Sequence, residues 1–152
     1  MGFKSNLSIN MKHRIEQTED RLVVGMKSNM TIQTIQQETG NLARQFMPRR
    51  GEVTSRIGEH VFSIQNYGTL QMKDMTPQTV FEKWVGVEVS NFDTVPEGME
   101  TFVLKAGTYV VFSFKGSMQE APKARQFMFQ EWLPKSKYQL DNRAHFEVLS
   151  ED

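Results

Sequence analysis

The chain has 152 residues, with 18 Lys plus Arg against 18 Asp plus Glu, so its formal net charge is zero. It has no cysteine, which excludes disulfides, thiol catalysis and cysteine metal sites together. The length favours one domain, the balanced charge without a basic stripe argues against a nucleic-acid surface, and no apolar run approaches the ~20 residues of a membrane span.

Residues 1–10 are polar and weakly patterned and read as a tail. They lack the apolar core of a secretory signal, which with the absent cysteines fits a cytoplasmic protein. From 12 to 27 the chain reads as a strand, with Arg21-Leu22-Val23-Val24-Gly25-Met26 as its apolar part. Ser28 or Asn29 is a good N-cap. Ile32, Ile35, Leu42, Ala43 and Phe46 then follow helical spacing over 30–47. Gly40 weakens that helix by roughly 1 kcal/mol relative to alanine, and Pro48 ends it. Two strands follow, His60 to Tyr67 and Val80 to Ser90. In the second, Val85, Val87 and Val89 share one face, and Trp84, Gly86 and Glu88 share the other. A valine stripe is what a helix packs against. A face of Trp, Gly and Glu fits an open cleft, and equally an outward surface.

Asn91 to Gly98 is rich in turn residues and separates half-repeats over about 11–92 and 98–150. The second half begins with a strand, Glu100 to Leu104, and a turn at Ala106-Gly107. A strand from Tyr109 to Lys115 leads to a helix capped by Gly116-Ser117, with Pro122 in its first turn. Pro134 stops that helix, and His145 to Leu149 is the last strand. Val23-Val24 precedes a helix ending in Phe46-Met47-Pro48; Val110-Val111 precedes one ending in Trp132-Leu133-Pro134 at nearly the same offset. The expected fold is α+β: two pseudo-symmetric strand–helix–two-strand repeats, mainly antiparallel, with a central cleft. An undivided α+β domain is the alternative. Two such halves meet at a seam, and ligand pockets favour concave, partly apolar seams.

The usual catalytic signatures are absent. His13, His60 and His145 have no partner at metal-ligand spacing; there is no GxSxG elbow and no glycine-rich phosphate loop. No cofactor or metal is expected. Glu131 is the informative acid, because Phe127, Met128, Phe129, Trp132 and Leu133 surround it in sequence. A carboxylate in such company must be compensated or raise its pKa. A bound organic cation would compensate it, and aromatic walls would add cation–π attraction. The competing reading is a helix-end Glu in water or paired with Lys135 or Arg125. Trp84 and Tyr109 carry the same two readings, core or pocket wall.

Three stretches, FEKWVGVEVSNFDTVPEGM, FVLKAGTYVVFSFKGS and FMFQEWLPKSKYQLDNRAHFEVL, resemble the GyrI-like small-molecule-binding domain. This is also the effector-binding domain of AraC-type and multidrug-sensing transcription regulators. The stretches follow the family's order and cover most of 80–149; W-L-P…S-x-Y with H-F-E carries most of the specificity. The resemblance implies a duplicated fold that binds apolar, often cationic, aromatic compounds between its halves. It assigns Glu131 to the acid before W-L-P, with Trp132 beside it, Glu88 to the acid of the G-V-E-V strand and Tyr109 to the opening of the Y-V-V-F strand. Together with Trp84 these are the expected ligand-binding residues. Only a short polar tail precedes the domain, so a helix-turn-helix reader and direct DNA binding are not expected. The resemblance leaves three roles open: a ligand binder of sensor type, a hydrolase of cyclopropane-bearing genotoxins using Glu131, and a protein partner of a transcription regulator or of gyrase. The oligomeric state is left open between monomer and dimer.

Overall fold

A computed structural model of the chain describes residues 11–70, 72–114, 126–138 and 143–149. In chain order these form β1 (Met11–Thr18), β2 (Arg21–Met30), α1 (Ile35–Phe46), β3 (Val61–Asn66), β4 (Phe81–Val89), β5 (Glu100–Leu104) and β6 (Gly107–Phe114). Two 3-10 turns (Met47–Glu52 and Met72–Asp74), a π-helical turn (Met128–Trp132), a short α2 (Leu133–Lys135) and β7 (His145–Leu149) complete the described elements. All pairing among the named strands is antiparallel, and the class is α+β. The chain divides into two compact units, residues 1–19 with 106–140, and residues 20–105 with 141–152.

The larger unit is a five-stranded sheet in the order β5-β2-β4-β3-β7. Strand parity gives each sheet face its own core. On one face Val24, Val85, Val87 and Val89 are buried with Leu42 and Phe46 of α1. The valine stripe therefore packs on a helix, as its alternation requires. Burying each such side chain contributes about 1.5–3 kcal/mol. The opposite face carries a second buried cluster, Val23, Phe62, Ile64, Trp84 and Leu104. Lys83 shares the valine face yet is only 3% exposed. It is satisfied there: its Nζ donates to Gln65 Oε1 at 3.0 Å, and Gln65 donates to the Tyr67 hydroxyl.

At the centre of this sheet Gly25 and Gly86 are register partners. A Cβ at Gly25 would fall on the Val85 carbonyl oxygen and lie 2.6 Å from Gly86 Cα. A Cβ at Gly86 would lie 2.6 Å from the Val24 carbonyl oxygen. The two strands approach too closely for any side chain here, which is the positional meaning of glycine inside a strand.

Two boundaries early in the chain differ from the sequence reading. The single strand expected over 12–27 is two strands in different sheets. β1 ends where Thr18 pairs Gly107, and β2 starts where Arg21 pairs Leu104. Glu19 and Asp20, both exposed, form the break; acidic residues are poor strand formers and mark the crossing. The first helix starts at Ile35 rather than Met30, because the β2–β4 ladder continues to the Met30–Phe81 pair. Ser28 and Asn29 lie inside that ladder and cap nothing. A threonine turn intervenes: the Thr34 N–H donates to Thr31 O at 3.1 Å, and the Thr31 N–H donates to Thr34 Oγ1 at 3.0 Å.

The smaller unit is built on a two-stranded ribbon, β1 with β6, running from Met11–Phe114 to Thr18–Gly107. One face of the ribbon carries His13, Ile15 and Gln17 with Phe112, Val110 and Thr108; the other carries Arg14 and Glu16 with Val111 and Tyr109. The Gln17–Thr108 side-chain hydrogen bond and the His13–Phe112 ring contact lie on the first face. The expected start of the second helix, from Gly116-Ser117 through Pro122, falls outside the described residues. Its end is corrected. Pro134 does not stop the helix at Leu133; helical backbone continues to Lys135, and the Ser136 N–H closes it on Leu133 O at 3.1 Å. In an ideal α-helix the Pro134 ring would clash with the carbonyl four residues back. The chain avoids this by widening one turn earlier, where the Leu133 N–H bonds to Met128 O, a π-type bond.

Candidate functional site

The π turn carries Glu131 and Trp132, and both line one cavity of about 450 Å³ within the smaller unit. Among the described residues Phe127, Lys135, Ser136, Lys137 and Tyr138 also line it. The volume lies within the range of small-molecule pockets. Trp132 is fixed by its neighbours. Its ring meets Phe112 edge-on at 5.2 Å and His13 edge-on at 5.1 Å. On another side Tyr138 lies near-parallel to it, at 10° and 6.3 Å between centroids. Edge-on contacts satisfy the ring quadrupoles and hold an indole in one orientation. The loop that presents Tyr138 is tied by Ser136, whose hydroxyl donates to Leu133 O at 2.7 Å and accepts from the Tyr138 N–H at 3.2 Å.

Glu131 and Trp132 are thus brought together, with half-buried side chains. Tyr109 is not brought to them: it lies on the ribbon face opposite the one that Trp132 packs against. Trp84 and Glu88 belong to the larger unit and share one face of its sheet. Trp84 is 3% exposed and packs at 5.2 Å against Phe102. Its Nε1–H donates to Glu82 Oε1 at 3.2 Å, and the Lys27 ammonium sits 5.6 Å from its ring centre. Lys27 is also held by Glu82 at 3.6 Å and Glu100 at 3.4 Å. The Glu82 charge, then the Glu100 charge, push the Lys27 pKa up from its ordinary value. For Glu82, burial pushes the carboxyl up; hydrogen bonds from Asn66 and Trp84 and the Lys27 charge outweigh it, and the net shift is downward. Glu88 pairs with Val23 across the ladder and is partly exposed.

Sequence reasoning named Glu131 and Trp132 but left out Tyr138, His13, Lys135 and Lys137 as site residues. Tyr138 was visible in the S-x-Y element three residues past the helix. His13 reads in the sequence as a surface or edge histidine, and its alternation with Ile15 is the signal of the ribbon face on which it meets Trp132. Among the described residues no group of three or more His, Asp or Glu could hold a metal ion. Among the same residues no helix is long and apolar enough to cross a membrane.

The α+β chain thus carries an open, aromatic-lined pocket with a carboxylate in its wall. The model of the Cass2 family, integron-associated effector binding proteins, matches residues 14–152, and the chain belongs to that family. Its fold is the GyrI-like one. The structure is similar to an integron cassette protein from the mobile metagenome of Vibrio cholerae, with a TM-score of 0.67 and 17% identity over 91% of this chain and 90% of that one. It is similar to a putative bacterial transcription regulation protein from Staphylococcus aureus, with a TM-score of 0.69 and 11% identity over 93% of this chain and 88% of that one. It also matches a chain of the EcmrR–DNA complex, with a TM-score of 0.60 and 12% identity, covering 93% of this chain and 51% of that one. At these identities the likenesses show the fold. No curated protein sequence matches the chain.

Proposed function

We propose that this chain is a cytoplasmic effector-binding protein whose pocket takes a small, largely apolar organic molecule with a cationic centre, and that it binds this molecule without transforming it. The observation that carries the reading is the shared cavity of Glu131, Trp132 and Tyr138. Two near-parallel rings offer apolar area with cation-attracting faces, and one carboxylate beside them supplies the counter-charge. Membership in an effector-binding family supports the same reading. So does the likeness to a putative bacterial transcription regulation protein and to a chain of the EcmrR–DNA complex, which favours a sensor that reports to a transcription regulator. The anchoring pair is Glu131 and Trp132; Tyr109 lies on the ribbon face opposite that of Phe112, which meets the Trp132 ring.

Calorimetry with tetraphenylphosphonium tests it. The wild-type chain binds, and Glu131→Gln, which keeps the shape and removes the charge, binds at least about fivefold more weakly. Equal affinity of the two proteins removes Glu131 as the anchor.

A further inference from the structure

The described lining of the pocket carries more positive than negative charge. Among its described lining residues the charged groups are Glu131, Lys135 and Lys137, one carboxylate against two ammonium groups. Lys135 closes α2, where a cation is favoured by the helix dipole whatever the pocket holds. Lys137 has no such reason, since it lies beyond the helix end. Its Nζ instead stands 5.6 Å from the centre of the Tyr138 ring, the ring that faces Trp132. Ser136, between the two lysines, is bonded to Leu133 O and to the Tyr138 N–H, which fixes the backbone that projects both. A simple monocation entering here gains one attraction and meets two repulsions. A ligand with charges of both signs gains at each end.

Building on the pocket reading above, we propose that the ligand is an amphoteric aromatic: a planar ring system with a cationic amine directed to Glu131 and a carboxylate directed to Lys137 and Lys135. The ring lies against Trp132 and Tyr138. Lys137 and Lys135 then select for the anionic group, and Glu131 selects for the amine. The pocket discriminates by charge pattern rather than by net charge alone, as specificity through unfavourable pairing requires.

The test uses one ring system in two charge states, rhodamine B, which carries a free carboxylate, and its ethyl ester, which is a plain cation. Fluorescence anisotropy with the full chain reads both affinities. Rhodamine B binds about fivefold more tightly than the ester, a ratio in keeping with partly exposed ion pairs. Lys135→Gln/Lys137→Gln abolishes that preference and tightens binding of the ester, because both repulsions are removed while Glu131 is intact. Equal or tighter binding of the ester by the wild-type chain overturns the amphoteric assignment and leaves the pocket reading standing. So does a preference that survives the double substitution. Failure of both dyes and of tetraphenylphosphonium to bind overturns the pocket itself, and this inference with it.

Discussion

Gly25→Ala and Gly40→Ala make the same chemical change and have opposite expected signs. At Gly25 the new methyl meets the backbone of Val85 and Gly86, the latter at 2.6 Å, with no flexible side chain to yield. Relief requires β2 and β4 to separate at the centre of the sheet, where both neighbouring ladders share β2. Overpacking of this kind costs about 1–3 kcal/mol, which lowers the melting temperature by about 2–12 °C for a chain of this size. At Gly40, inside α1, the methyl meets only the Arg44 guanidinium at 3.5 Å, an ordinary contact. There the substitution restricts the unfolded chain and stabilises by about 0.4–1 kcal/mol, a rise of about 1–4 °C. Thermal melts followed by circular dichroism read both. A Gly25→Ala protein that melts with the wild type, or a Gly40→Ala protein that melts below it, would refute the close-approach reasoning.

Phe46→Ala empties the core between α1 and the valine face, where Phe46 is fully buried; the expected loss is about 3–5 kcal/mol, measured by urea denaturation. Acid should destabilise the fold through Glu82 and Glu52. The first is lowered from its ordinary 4.5 because Asn66, Trp84 and Lys27 overcome burial; the second is lowered by its hydrogen bond to Arg49. A depressed folded pKa contributes stability above the unfolded value and loses it as pH falls through the folded one. Melting temperature should therefore drop below about pH 4.5, less steeply in a Glu82→Gln/Glu52→Gln protein; parallel curves for the two proteins would count against it. Trp132→Ala removes the ring that Phe112, His13 and Tyr138 contact. Tetraphenylphosphonium affinity should fall about tenfold or more, and an unchanged calorimetric titration would exclude the indole as a wall.

Features fixed by neighbours in sequence were legible, and those fixed by partner strands were not. The valine stripe of β4 could be read because alternation alone assigns a face. Glu131 and Trp132 could be read as a pair because a single helix end presents both, whereas Tyr138 joins them only through the loop that follows. Tyr109 could not be placed, since parity within β6 does not tell which face of the ribbon a later helix covers. Register with β1 decides that, and it puts Phe112, not Tyr109, under the indole. Lys83 shows the same limit: it sits in the valine stripe's own parity, and Gln65 from the neighbouring strand helps make its burial tolerable. Pro134 misled for a local reason. A proline forbids an α-turn behind it, but a wider turn answers the same objection without ending the helix.

The widened turn at Met128–Trp132 holds one residue more than regular coiling would need. Deleting that residue would restore ordinary pitch and leave the segment beyond it close to its present phase, because the wide turn already absorbs the extra residue. What would change is the turn itself, which carries Glu131 and Trp132. Length changes at this spot thus offer a cheap evolutionary dial, one that reshapes the rim of a receptor without rebuilding its frame.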